Sequence, residues 1–192
     1  MADLKSILGF KVRNQSTDSV ASAAAGGSWS SGGDLNTTRA VGLGSGTQTA
    51  ALMAGGYTSP PYSAKNEVEL YDGSSWTETT EINTARSGIM GGGTQTSAIG
   101  AGGYNGSPVT NAETWNGSAW TEVSEINTSR AGGGGVGQSS TAALIFGGFV
   151  TPSRNDETEI WNGSTWTEVS DLNSPGDEQA SVGITTSALC VG

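Results

Sequence analysis

The stretch WNGSAWTEVSEINTSR, residues 115–130, decides the fold of this chain, because it returns along the sequence with few changes. One copy, YDGSSWTETTEINTAR, lies at residues 71–86, and another, WNGSTWTEVSDLNSPG, lies at residues 161–176. Its second part also matches WSSGGDLNTTR at residues 29–39. The aligned tryptophans are 47, 44 and 46 residues apart, a period that predicts a repeat architecture in which each copy forms one supersecondary unit.

Each repeat carries further marks in a fixed order. An apolar run that closes on two glycines occurs at residues 51–56, 98–103 and 143–148, with a partial copy at residues 188–192. A glutamate precedes Trp76, Trp120 and Trp166 by seven residues, and an arginine follows Trp29, Trp76 and Trp120 by ten. We therefore predict four short strands per module: one after the arginine, one in the apolar run, one around the glutamate and one from the tryptophan onward.

An Asp-Gly or Asn-Gly pair separates the third and fourth predicted strands of each module. Such pairs accept positive φ at both central positions of a tight hairpin turn. Several asparagines also fit the glycosylation pattern, namely Asn14, Asn36, Asn105, Asn116, Asn127 and Asn162. Charges interrupt the apolar part that a signal peptide would need near the N-terminus, so we expect no secretion and interpret these asparagines as structural residues, three of them in Asn-Gly turns or loops.

The order of arginine, apolar run, glycine pair, glutamate, turn and tryptophan resembles the kelch repeat over residues 29–192. Gly176, in place of the arginine, departs from it. The repeats are also similar to those of kelch-type proteins common in marine bacteriophage genomes. The resemblance implies a β-propeller, in which four-stranded blades surround a central axis.

We expect an all-β, kelch-like β-propeller over residues 29–192, with three complete four-stranded blades and partial blades at both ends. In a small four-bladed ring, the strand at Trp29 would join the two C-terminal strands. Alternatively, the open ends pair between subunits, or the chain is one part of a larger array. Residues 1–28 are interpreted as an N-terminal attachment or flexible segment; a tail lying on its own domain is the other interpretation.

Composition excludes several classes of function. The net charge of −10, with only 8 Lys and Arg, argues against nucleic acid and anionic membranes as partners. No apolar stretch is long enough for a spanning helix. The chain has no histidine and one cysteine, so the commonest general base and a cysteine-based zinc site are both missing. We predict no enzymatic activity, no cofactor and no metal site.

Two recurring sets of residues are predicted to be structural. Trp76, Trp120 and Trp166 are expected to pack between adjacent sheets, whereas Trp115 and Trp161 follow strand alternation less clearly and are expected to be partly exposed. The other set is expected to form one charged pair per blade: Arg39, Arg86 and Arg130 with Glu69, Glu113 and Glu159. The competing interpretations are exposed rings that stack on sugars and arginines that converge on an anion.

Binding is expected on the long loops that follow the glycine pairs, because propeller function usually lies in such loops. They cover residues 57–65, 104–110 and 149–156, and each opens with an aromatic residue and contains proline. The candidate binding residues are Tyr57, Tyr62, Tyr104, Asn105, Phe149 and Arg154.

These observations favour a non-enzymatic structural or interaction protein. The resemblance to kelch-type phage proteins implies a component of a phage virion, in its tail, fibre or capsid-associated parts. Its expected partners are other virion proteins or its own subunits, and a glycan of the host surface. The expected localisation is therefore the virion, or otherwise the cytoplasm. The alternatives are a lectin-like propeller that binds carbohydrate and an intracellular kelch adaptor that binds proteins.

Overall fold

A computed structural model describes residues 32–192 of the protein. Within these residues the chain is all-β: sixteen strands form antiparallel sheets, and none of the described residues is helical. The predicted N-terminal segment, residues 1–28, and the predicted strand at Trp29 lie outside the described residues.

Three four-stranded sheets follow one another along the chain. The first sheet contains β1 (Leu43–Thr47), β2 (Ala50–Thr58), β3 (Ser63–Tyr71) and β4 (Trp76–Thr79). The second contains β5 (Met90–Thr94), β6 (Ser97–Ala101), β7 (Ala112–Trp115) and β8 (Trp120–Glu122). The third contains β9 (Gly134–Ser139), β10 (Ala142–Phe146), β13 (Thr158–Trp161) and β14 (Trp166–Val169). Each strand pairs with the next strand of its sheet, so each sheet is an up-and-down meander.

Two hairpins complete the described chain. One is β11 (Phe149–Val150) with β12 (Ser153–Arg154), which lies within a segment that we predicted as a loop. The other is β15 (Ala180–Ile184) with β16 (Ser187–Val191), which corresponds to the first two strands of a further module. Among the described residues no third strand pairs with β16, and the apolar side chains of Val182, Leu189 and Val191 are exposed.

Two hydrophobic cores lie between successive sheets. In the first, Leu43, Leu52 and Val68 of the first sheet pack with Trp115 and Trp120 of the second. The second core repeats this pattern with residues of the second and third sheets: Met90, Ile99, Trp161 and Trp166. The burial of aromatic rings, each worth about 150–250 Å² of surface, therefore joins one module to the next.

The expectation of partial exposure for Trp115 and Trp161 was wrong. Both rings are buried, with exposures of 0 % and 2 %. Each stacks at 5.3–5.4 Å against the tryptophan that opens the next strand, and each donates its indole N–H to a backbone carbonyl of the turn between the first two strands. Tyr71 and Trp76 form the same stack at 5.0 Å but stay half-buried, since no described sheet precedes theirs.

The first strands of successive modules lie side by side, β1 with β5, β5 with β9 and β9 with β15. Just before each of them, one residue takes a left-handed backbone conformation: Val41, Gly88, Gly132 and Glu178, with φ of 57°, 61°, 68° and 52°. The amides of Gly88, Gly132 and Glu178 each donate to the carbonyl of the preceding member, at 2.8, 2.8 and 2.6 Å. One backbone hydrogen bond thus connects each module to the next, just before their first strands.

Glycine in the first strands allows this close approach. A β-carbon placed on Gly135 of β9 would overlap the backbone of Gly91 in β5, whereas Gly44, at the same position of β1, has open space around it. Sheets two and three can therefore touch backbone to backbone at their first strands. The wide tryptophan pairs lie on the last two strands, so the modules are thin at one edge and thick at the other.

We predict that Gly135→Ala lowers the free energy of unfolding by about 1–3 kcal/mol, because the added methyl group must push two backbones apart. The matched change Gly44→Ala should be neutral or stabilise by up to about 1 kcal/mol, since the methyl group meets nothing and alanine reduces the entropy of the unfolded chain. Denaturant unfolding of the two variants measures the difference. Equal effects of the two substitutions would contradict the proposed contact.

Candidate functional site

The charged residues that recur in each module form buried ion pairs. Arg39, Arg86 and Arg130 contact Glu69, Glu113 and Glu159 respectively through Nη1 and Oε1, at 2.5, 2.5 and 2.6 Å. Each arginine lies in the connection that enters a sheet, and each glutamate lies on the third strand of that sheet. The pair therefore attaches the incoming connection to the body of the sheet.

An asparagine of the same connection completes the carboxylate's hydrogen bonds. At the second module, the backbone N–H and the side-chain amide of Asn83 both donate to Oε2 of Glu113, each at 2.8 Å. Asn36 and Asn127 repeat this arrangement with Glu69 and Glu159. The recurring N-T-x-R segment thus serves as one unit for binding a carboxylate within the chain.

The guanidinium group of Arg86 also donates to the backbone. Its Nη1 reaches the carbonyl of Thr84 at 3.0 Å and its Nε reaches that of Gly102 at 2.9 Å. The side chains of Arg39, Arg86 and Arg130 are fully buried. Because each of these buried guanidinium groups contacts a carboxylate of its own module, the contacts support a structural role for the three arginines.

Burial raises the pKa of Glu69, but hydrogen bonds from the backbone of Asn36, the side chain of Arg39 and the backbone of Thr37 lower it by more. The net result is a pKa below the ordinary value of 4.5. A carboxyl whose pKa is lowered by folding stabilises the folded state above its ordinary pKa, and this contribution is lost as the pH falls through the lowered value.

The Asp-Gly and Asn-Gly pairs are hairpin corners. The side-chain oxygen of Asn116 accepts hydrogen bonds from the N–H and hydroxyl of Ser118 and from the N–H of Ala119, each at 2.9 Å. Asp72 and Asn162 make the same contacts. These bonds explain the recurrence of the pair through the local needs of the turn. Because the bonds from Ser74 and Ser75 stabilise the ionised form, the pKa of Asp72 falls to about 2.

The loops after the glycine pairs converge on an aromatic cleft. Three tyrosines and a phenylalanine from the segments after the glycine pairs line a cavity of about 390 Å³, namely Tyr57, Tyr62, Tyr104 and Phe149. Tyr57 lies on β2 and Phe149 on β11, so parts of the predicted loops are strands. The ring centroid of Tyr62 lies 5.2 Å from that of Tyr57 and 5.8 Å from that of Tyr104. Tyr62 is 44 % exposed, while the other three rings are half-buried. We refer to this cavity as the aromatic cleft.

Two of the candidate binding residues lie elsewhere. Asn105 is exposed and does not line the aromatic cleft. Arg154 is exposed as well and forms an ion pair with Asp177 through Nε and Oδ1, at 2.5 Å. Arg154 lines a neighbouring cavity together with Phe149.

The sequence reasoning missed the other side of the aromatic cleft, where Val41, Asp177 and Glu178 contribute. Val41 and Glu178 follow the arginine position of their modules by two residues, as Gly88 and Gly132 do, and all four line this cavity. The spacing of two residues from the arginine position could therefore have identified these four residues as equivalent. A sequence cannot show that these positions from different modules lie at one cavity.

A comparison with known protein families finds no match for this chain, and neither does a search of curated proteins. Among residues 32–192 no helix is long and apolar enough to cross a membrane. The same residues contain no cluster of three or more histidine, cysteine or acidic side chains arranged to hold a metal ion.

We predict that Arg86→Met lowers the free energy of unfolding by about 3–5 kcal/mol, because it leaves the buried carboxylate of Glu113 without its partner. The control is Arg154→Met, which breaks an exposed pair and should cost no more than about 1 kcal/mol. The double change Arg86→Met with Glu113→Leu should recover part of the loss. Denaturant unfolding measures all three, and equal costs for Arg86→Met and Arg154→Met would argue against the buried pair.

We also predict that the Asp72 carboxyl titrates with a pKa of about 2 in the folded protein, below its ordinary 3.8. The contribution of this group to stability is then complete above pH 3.8 and is lost as the pH falls through about 2. NMR titration of the side-chain carboxyl carbon measures the value. In Asp72→Asn the turn should persist, as at Asn116 and Asn162, without this pH dependence. A measured pKa at the ordinary value would refute the hydrogen-bonded corner.

Proposed function

We propose that the protein is a non-enzymatic interaction module of a phage virion, a kelch-like β-propeller whose aromatic cleft contacts a partner. The observation that carries this proposal is the cleft itself. Four aromatic side chains line it, one exposed and three half-buried, whereas the tryptophans Trp115, Trp120, Trp161 and Trp166 are buried in the cores. Exposed aromatic groups gathered from separate loops are typical of binding surfaces.

The propeller arrangement is supported by the positions at which the modules meet. A second cavity, of about 400 Å³, is lined by the residue pair that opens each of four modules: Val41 and Gly42, Gly88 and Ile89, Gly132 and Gly133, Glu178 and Gln179. Equivalent residues of successive blades face a common axis in a propeller. The side-by-side order of β1, β5, β9 and β15 agrees with such an axis.

Closure of the ring within one chain requires a further strand beside β16. The copy of the repeat at residues 29–39 is the candidate in this chain for the fourth strand of that blade, since Trp29 aligns with the tryptophans that open β4, β8 and β14. Without such a strand, β16 would remain an open edge with the side chains of Leu189 and Val191 exposed, and natural sheets avoid such edges.

The assignment to a virion depends on the similarity of the repeats to kelch-type proteins of marine bacteriophages. The first partners in this proposal are other virion proteins or further copies of the chain, and the second is the host surface. A rigid scaffold of sheets with one aromatic cleft suits such a role, because the cleft is formed before the partner arrives.

The proposed location can be tested by quantitative mass spectrometry of phage particles purified by density-gradient centrifugation from a culture that produces the protein. We expect peptides of this chain to band with the capsid protein at a constant ratio across the peak. A soluble cytoplasmic protein of the host serves as the control and should be absent from the band. If the chain stays with the soluble proteins of the lysate, the virion assignment is wrong.

A further inference from the structure

The aromatic cleft is held in a defined shape. The hydroxyl of Tyr62 donates to the carbonyl of Tyr104 at 3.0 Å and lies 3.2 Å from the hydroxyl of Ser87. These contacts join two loops from different modules through one side chain. Because the hydroxyl is bonded within the protein, the exposed part of Tyr62 presents mainly its ring to a ligand.

The charged residues that line the cleft are acidic. They are Asp177 and Glu178, and no lysine or arginine lines the cavity. Asp177 is paired with Arg154, whereas Glu178 is exposed and makes no ion pair with any described residue. The backbone N–H of Glu178 donates to the carbonyl of Gly132 at 2.6 Å, which fixes the position of this residue beside the rings.

Aromatic faces and a free carboxylate attract the same kind of group. The face of an aromatic ring is electron-rich and attracts a cation placed over it, and a carboxylate does so by its charge. The whole chain has a net charge of −10, so the field around it also draws cations and repels anions. An anionic ligand is therefore disfavoured here.

The apolar part of the lining selects among cations. Val41 is 53 % exposed at the cavity, and Ala131 and the glycines 88 and 132 add further apolar surface. A bare ammonium group would lose strong hydration in such surroundings. A quaternary ammonium group carries methyl groups around its charge, and recognition of such groups by aromatic cages is well established in other proteins.

We propose that the aromatic cleft binds a quaternary ammonium group, of the trimethylammonium type, borne by the partner. The rings of Tyr57, Tyr62, Tyr104 and Phe149 would contact the methyl groups, and the carboxylate of Glu178 would balance the charge. The cavity volume of about 390 Å³ falls within the range of about 300–1,000 Å³ for small-molecule sites. This inference rests on the proposed interaction face and specifies the chemistry that the face recognises.

The test is a titration of the isotope-labelled full chain with choline, followed by two-dimensional NMR. A matched probe is the uncharged carbon isostere of choline, in which a tert-butyl group replaces the trimethylammonium group. We expect choline to shift the signals of the four aromatic residues and of Glu178, and the isostere to bind about tenfold more weakly, because only choline carries the charge.

Variants separate the contributions of ring and carboxylate. Tyr62→Ala should abolish the shifts, while Tyr62→Phe should retain most of the affinity because the ring remains. Glu178→Gln should weaken choline binding about three- to fivefold and leave binding of the isostere unchanged. Tyr71→Ala, at a ring stacked on Trp76 outside the cleft, is the control and should bind choline as the unaltered protein does.

Each contrary outcome overturns the inference in its own way. Equal affinity for choline and its isostere would make the cleft a neutral apolar pocket. Shifts with a methyl glycoside but not with choline would assign the cleft to a sugar. If millimolar choline shifts no signal, the cleft is not a site for a quaternary ammonium group. The mass-spectrometric test of virion location does not involve this probe, so failure of the ligand assignment and failure of the proposed function can be told apart.

Discussion

The buried arginine–glutamate pair is the interaction on which the rest of this structure depends. Its two members come from different parts of a module, the incoming connection and the third strand. A buried carboxylate that loses its partner lowers the free energy of unfolding by several kcal/mol. The connection that carries the arginine must therefore enter the sheet beside the glutamate. The pair therefore fixes where the incoming connection lies against each of the three four-stranded sheets. The neighbouring asparagine, with two hydrogen bonds to the same carboxylate, makes the register more specific.

The glycine pair of a module also contacts the arginine of the next module. Gly102 and Gly103 both have positive φ, and the N–H of Gly103 donates to the carbonyl of Arg130, the arginine of the next module. A β-carbon on either glycine would overlap its neighbours. The same two glycines thus form the turn after the second strand and contact the backbone of the next module's arginine. Glycine at the first strands and tryptophan at the last two give each module its tapered form.

The repeated framework and the proposed binding surface are formed by different residues. The recurring buried arginines and glutamates are paired with each other, and the rings of Trp115 and Trp161 are buried in the cores. The loops after the glycine pairs differ from module to module, and their aromatic residues meet at one cleft because the three loops leave the sheets at the same side. Variation in these loops can therefore change the proposed binding surface without disturbing the core.

The sequence by itself determined the modules, their strands and the paired arginines and glutamates, because hydrophobic pattern, turn chemistry and charge recur at fixed spacing. The third strand predicted at residues 158–161, for example, is β13 (Thr158–Trp161). The sequence did not predict the burial of Trp115 and Trp161 or the hairpin of β11 and β12. Only the tertiary structure decided that Glu178 shares a cleft with Tyr62, since these residues are brought together by contacts between modules, and no local pattern encodes a distance between residues so far apart in the chain.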